Sequence, residues 1–179
     1  MEDSVNYAEY TVEQKAEGKN LRKRILLVCL YLFFGLGVSG FFLFGPIKIW
    51  PIGSIMPVLT FILVGLTWRY AALEHKYEVA NAKFRVSEIY GRKKQETVFE
   101  NLVSELSIIA PMTDEYREQW EKADRILDYR GSKNTPDAYF VRLDKDGTST
   151  VVYFEAINKM LKVMKFYNAK GTVVTTMRY

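Results

Sequence analysis

Two long uncharged runs stand almost back to back early in the chain, and they constrain it more than any other feature. Ile25 to Phe44 reads ILLVCLYLFFGLGVSGFFLF, and Ile49 to Trp68 reads IWPIGSIMPVLTFILVGLTW. Each has about the 20 residues a helix needs to cross a bilayer core at 1.5 Å per residue. Only Gly45, Pro46, Ile47 and Lys48 separate them. A helix satisfies its own backbone polar groups, so a helical hairpin is the natural way to hold both runs in lipid. Hiding such a hairpin inside a soluble fold would take a much larger surrounding chain. A cleaved leader is disfavoured, because the first run is longer than a leader's apolar region and a second run follows at once.

The runs divide the chain into a basic arm over 1–24, a transmembrane hairpin over 25–72 with spans 25–44 and 49–68, and a tail over 73–179. The tail is long enough for one compact domain with its own core. Lys15, Lys19, Arg22, Lys23 and Arg24 precede the first span, and Arg69, Lys76, Lys83 and Arg85 follow the second, whereas the loop carries only Lys48. The positive-inside rule then puts both termini in the cytoplasm and the loop outside, which makes a multi-pass plasma-membrane protein. Trp50 and Trp68 stand at opposite ends of the second span, where indoles favour the interface. Cys29, the single cysteine, lies in the first span, so no disulfide within the chain and no cysteine metal site is expected.

The tail alternates like a β protein. Tyr77, Val79, Phe84, Val86 and Ile89 mark two short strands with a turn at Asn81. Thr97 to Phe99 reads as a third strand and Leu102 to Ala110 as a longer one ended by Pro111. Asp114 to Asp124 reads as a polar helix and Arg125 to Tyr129 as a brief strand. Ala138 to Leu143 and Thr150 to Phe154 flank Asp146-Gly147, the strongest short signal for a hairpin. A last helix is expected over about Ala156 to Tyr167, with Ile157, Met160, Leu161 and Met164 on one face and Lys159, Lys162 and Lys165 on another. Six or seven short strands with a final amphipathic helix describe a small β-barrel or sandwich of the pleckstrin-homology (PH) plan.

Tyr77-Glu78-Val79, Phe84-Arg85-Val86 and Ile89-Tyr90-Gly91-Arg92-Lys93 resemble the opening strands of bacterial PH domains fixed behind a pair of membrane helices. Leu106-Ser107-Ile108-Ile109-Ala110-Pro111 and Phe154-Glu155-Ala156 with Lys159-Met160-Leu161 are similar to a family of small two-span proteins from Gram-positive bacteria. The resemblance runs from the hairpin to about Tyr167. It implies an α+β membrane protein with a cytoplasmic PH-like domain, and it carries no functional residue with it.

Chemical motifs fail on context. Gly35-Leu36-Gly37-Val38-Ser39-Gly40 spells GxGxxG, but it sits inside an apolar span with no acid between Arg24 and Glu74, so no dinucleotide site is expected. Gly35 and Ser39 read instead as a small-xxx-small pair for helix packing, with Gly53, Pro57 or Gly65 as receiving positions. Asp144-Lys145-Asp146-Gly147 resembles a calcium loop, but the register would put Arg142 and Tyr153 at ligand positions. His75, the single histidine, reads as a solvated linker residue beside Glu74. No nucleophile or acid–base set is legible, so the chain is read as no enzyme, without metal or cofactor. The spans carry no charge, which argues against an ion pathway.

The tail holds 19 basic and 16 acidic residues from Arg69 on, too balanced for nucleic acid. Arg22, Lys23 and Arg24 at the inner leaflet, with Arg92, Lys93 and Lys94 in a strand connection, are the candidate contacts to lipid headgroups. The expected function is a membrane-anchored interaction module that binds a protein partner or a second copy of itself, with weak anionic-lipid contact. The alternative is an accessory or scaffold subunit of a larger membrane complex.

Overall fold

The computed structural model describes residues 6–68, 73–91 and 94–175. Its contacts fall into two compact units: the apolar runs form one, and chain from both sides of them forms the other.

In the first unit, α1 (Gly18–Leu32), a six-residue π-helical segment (Phe33–Val38) and α2 (Ser39–Phe44) follow one another without a break. After a short loop comes α3 (Trp50–Thr67). Two stretches, Asn20–Phe44 and Trp50–Thr67, are helical, long and apolar enough to cross a membrane. The first helix starts before the expected Ile25, because Asn20 to Arg24 contains nothing that breaks a helix. It stops at Gly45 and Pro46, and Pro51 occupies the first turn of α3, where its missing N–H is harmless. Bulky side chains point outward: Leu36 is 70% exposed and Phe61 81%.

The second unit holds two four-stranded sheets. Sheet A runs in the order β1 (Tyr7–Glu13), β2 (Leu73–Ala80), β3 (Lys83–Tyr90) and β4 (Lys94–Leu102). Sheet B has the order β5 (Ile108–Pro111), β7 (Ala138–Lys145), β8 (Thr148–Glu155) and β6 (Arg125–Asp128), with β6 parallel to β8. The described strands thus form two separate sheets and no closed barrel. The reason lies at the expected long strand over Leu102 to Ala110. A 3₁₀ turn at Val103–Glu105 breaks it, and the chain changes sheets there. The Asn168 side chain clamps that turn, donating to Val103 O at 3.0 Å and Leu106 O at 2.7 Å.

The core lies between the sheets. Tyr77, Val79, Phe84 and Val86 of sheet A meet Ile109, Tyr139, Val141, Val152 and Phe154 of sheet B. The Phe154 ring stands 5.0 Å from Phe84 and 5.8 Å from Tyr77, centroid to centroid. Helix α5 (Asn158–Tyr167) lies along β1 and buries Met160, Leu161, Val163 and Met164 in the same core. The other face of sheet B is covered as well: Phe140, Val151 and Tyr153 pack with Tyr116 and Trp120, around α4 (Arg117–Glu121). The polar helix expected over Asp114 to Asp124 is shorter, a 3₁₀ turn at Asp114–Tyr116 leading into α4.

The outer face of sheet A carries charge instead. Lys76 pairs with Glu9 at 2.7 Å, and Glu100 accepts from Lys83 at 2.8 Å and Arg85 at 2.9 Å. Those two cations hold the Glu100 carboxyl down at about 2, the lysine contributing more.

The arm expected over 1–24 is divided. Its first part supplies β1, which pairs antiparallel with β2 from Tyr7 opposite Ala80 to Glu13 opposite Glu74. Its last part is helical. Two of the hairpin turns use two residues each. Asp146 and Gly147 connect β7 to β8 at φ 52° and 75°, the positive values such a turn requires. Asn81 and Ala82 connect β2 to β3 at φ 51° and 63°, and there the second residue is not glycine.

Candidate functional site

One end of the second unit gathers several of its buried polar groups. Strand β1 ends there at Glu13, β2 begins, and β3 ends at Tyr90, opposite Lys94 at the start of β4. Because β8 runs toward the same end, the segment after β6 arrives there too. Gly131 lies so close to β1 that an added Cβ would stand 2.3 Å from Val12 Cγ1 and 2.6 Å from Glu13 O. The buried Glu155 carboxylate receives the N–H groups of Gly131 at 2.9 Å and Ser132 at 3.3 Å. Tyr77 donates its hydroxyl to Tyr129 O at 2.7 Å, and burial pushes that phenol's pKa up. Arg130 grips Asp128 with two bonds, at 2.8 and 2.7 Å. Burial alone would raise the Asp128 carboxyl, but this pairing outweighs it and holds the group below its ordinary range.

His75 lies in this cluster and corrects the expectation of a solvated linker residue. It is 1% exposed, because it shares the inward face of β2 with Tyr77 and Val79. The alternation His75, Tyr77, Val79 was the signal that could have placed it. Its ring packs edge-on to Tyr129, at 5.4 Å between centroids. Neither ring nitrogen has a hydrogen-bond partner among the described residues, and Nε2 stands 3.8 Å from Glu88 Oε1. Burial lowers the imidazole pKa, and Glu88 opposes it only in part. The carboxylates of Asp128 and Glu155 are already engaged, and the buried His75 ring resists protonation in the folded chain. Among the described residues no three His, Cys, Asp or Glu side chains form a metal-binding group.

The basic candidates are spread over both units. Arg22, Lys23 and Arg24 lie in α1. Arg92 and Lys93 lie outside the described residues. Lys94 opens β4, with its ammonium 3.3 Å from Glu96 and 5.9 Å from the centre of the Tyr90 ring. Register fixes the end of sheet A at which Lys94 stands. It pairs with Tyr90, and the β2–β3 hairpin brings Tyr90 to the end where β2 begins.

The helix pair meets along a line of small and hydroxylic residues. Tyr31 OH stands 2.5 Å from Thr67 Oγ1. Thr67 already donates to Leu63 O at 2.6 Å, so the shared proton comes from Tyr31. A Cβ on Gly35 would meet Thr60 Cγ2 at 3.3 Å. Ser39 Oγ donates to Gly53 O at 2.6 Å, and a Cβ on Gly53 would meet Leu43 Cγ at 2.6 Å. The first helix therefore contributes positions 31, 35, 39 and 43, and the second contributes 53, 60 and 67. Of the expected receiving positions, Gly53 is in contact, and a Cβ on Gly65 would meet nothing within 4 Å.

Comparisons with curated proteins and with solved structures gave no match. The family described as bacterial PH-like domain (DUF6106) matches residues 3–174. That span takes in β1, the helix pair, both sheets and α5. The chain belongs to the bacterial PH-like domain family DUF6106.

Proposed function

We propose that the chain is a membrane-anchored interaction module, with both termini in the cytoplasm and the PH-like domain presented there to a protein partner or a second copy. The observation that carries the anchoring is the pairing of β1 with β2 across the helix pair. Chain that leaves the domain at Glu13 and returns at Glu74, its partner in the sheet, must cross a bilayer an even number of times. Two apolar helices with outward-facing Leu and Phe side chains meet that requirement. The excess of Lys and Arg outside the loop supports a cytoplasmic domain.

The outward face of α5 is the surface best suited to a partner. Lys159, Lys162, Lys165 and Phe166 lie on the arc opposite the buried Met160, Leu161, Val163 and Met164. Phe166, at 68%, is the most exposed large apolar side chain among the described residues of this unit. A lone exposed ring framed by lysines fits an acidic, partly apolar protein segment. Lys94 opens β4 at the end of sheet A where β2 begins, which supports weak contact with anionic headgroups.

Site-directed labelling tests the anchoring. With Cys29→Ser as background, a membrane-impermeant maleimide should modify Lys48→Cys in intact cells and leave Lys145→Cys untouched. Modification of Lys145→Cys would sink the orientation. Cross-linking of the full chain in mild detergent tests the interaction. Products present with wild type should weaken with Phe166→Ser and Lys162→Glu together, and products unchanged in pattern and amount would remove α5 as the docking surface.

A further inference from the structure

One hydrogen bond in the helix pair answers a defect in the neighbouring helix. Pro57 lies inside α3. Proline has no N–H, so the carbonyl four residues earlier, that of Gly53, receives no bond from its own helix. In hydrocarbon no water replaces the missing donor, and an open carbonyl is costly. The Ser39 hydroxyl, buried and on the other helix, donates to that oxygen at 2.6 Å. Gly53 makes the approach feasible, since a Cβ there would press on Leu43 Cγ at 2.6 Å and on Ser39 O at 3.2 Å.

The direction of the Ser39 bond sets it apart. Hydroxyls inside helices ordinarily turn back to the carbonyl four residues earlier. Thr60 does so to Met56 O at 2.9 Å, and Thr67 to Leu63 O at 2.6 Å. Ser39 gives its proton across the gap instead. It begins α2 directly after the π segment Phe33–Val38, where the wider turn shifts the helix face that follows.

We infer that Ser39 is the substitute donor for the carbonyl that Pro57 leaves open, and that Ser39, Gly53 and Pro57 form one clasp fixing the register of the helix pair. Pro57 supplies a bare acceptor at one depth, Gly53 opens the space, and only a small hydroxylic side chain at position 39 fills it. The clasp makes Ser39 and Pro57 energetically coupled although neither side chain needs to touch the other.

Thermal unfolding of the full chain in detergent, with a double-mutant cycle, tests the coupling. Ser39→Ala should lower the midpoint by several degrees in the wild-type background. In the Pro57→Ala background the restored N–H takes Gly53 O, and Ser39→Ala should then cost little. An equal drop in both backgrounds, or no drop in wild type, would overturn the clasp. Should Ser39→Ala fail to accumulate, the Ser39→Ala/Pro57→Ala chain should accumulate, and its failure would count against the inference equally. A ¹³C=¹⁸O label at Gly53 gives a second reading. Its amide I band should move to higher wavenumber in Ser39→Ala, and an unmoved band would show that the hydroxyl does not bond there.

Discussion

The sheet unit and the helix pair treat the same residue types in opposite ways. In the sheet unit, Tyr77, Phe84, Phe154 and Leu161 are fully buried, and Lys76 with Glu9 and Lys83 with Glu100 stand outside in ion pairs. In the helix pair, Leu36, Phe44 and Phe61 point outward, while Ser39 and Gly53 are buried where the helices meet. In water, burying an apolar side chain is the main source of stability. In the lipid setting proposed for the helix pair that gain is absent, and contact there rests on close approach and on hydrogen bonds between polar groups. A buried small residue therefore means different things in the two units, and the large residue buried in the helix pair, Tyr31, is one that brings a hydroxyl to the contact.

A charge placed in each unit should break this contrast most visibly. Leu161→Asp would put a carboxylate among Met160, Met164 and Phe154, at a cost of roughly 4 kcal/mol or more, a large share of a domain's stability. Circular dichroism should show the sheet unit unfolded while the full chain still fractionates with membranes. A cooperatively folded Leu161→Asp sheet unit would mean that this face of α5 is not core.

Two close-approach glycines, one in each unit, allow the same change in both settings. At Gly131 a new methyl would meet backbone, Glu13 O at 2.6 Å, which cannot step aside without moving β1. Gly131→Ala should cost about 2 kcal/mol as overpacking. At Gly53 the nearest atoms belong to the flexible end of Leu43, so Gly53→Ala should cost about half as much. Denaturation midpoints of the two variants give the order, and the reverse order would show that the helix contact is the stiffer of the two.

His75 brings pH into the comparison. Its folded pKa lies below the ordinary value of about 6.5, which the unfolded chain keeps. Below about 6.5 the unfolded chain takes up a proton that the folded chain refuses. His75 therefore destabilises the sheet unit progressively as pH falls from about 6.5 toward its folded pKa, and has no such effect above. Glu88, Asp128 and Glu155 face the ring and soften the penalty, and the salt-bridged Asp128 loses its own contribution only at lower pH. In His75→Phe the stability should be level from pH 7 to 5.5, whereas wild type should decline. Parallel curves would remove His75 as the cause.

The smallest effect should come from Ala82. It sits at φ 63°, a left-handed conformation that costs a residue with a Cβ about 1 kcal/mol. Ala82→Gly should relieve that strain and raise the unfolding midpoint slightly, whereas Gly147→Ala, at φ 75°, should lower it. A lowered midpoint for Ala82→Gly would mean that its Cβ packs usefully.

Much of the architecture was legible without coordinates. Run length and lack of charge marked both long helices, since those depend on local composition alone. Asp146-Gly147 announced its hairpin because φ preference is a property of the residue itself. Of the face expected at Ile157, Met160, Leu161 and Met164, the last three are buried in α5, Ile157 stands just before the helix and is half-buried, and the structure adds Val163. Strands β7 and β8 were found, but not why Ala138 to Val141 and Val151 to Phe154 are unbroken apolar runs: only the structure shows that both faces of sheet B are covered.

Other features waited for the tertiary structure. The arm segment Tyr7–Glu13 alternates Ala8, Tyr10 and Val12 on one face, yet its partner β2 lies beyond the whole helix pair. His75 became buried because a segment more than fifty residues later packs over it. Ser39 found its acceptor because Pro57, on another helix, left one open. The sequence by itself determined the two long helices, the Asp146-Gly147 hairpin and the closing helix, because those follow from composition, period and backbone preference within a few residues. The tertiary structure decided which groups satisfy one another, because a hydrogen bond or a close contact depends on positions that the chain brings together only when it folds.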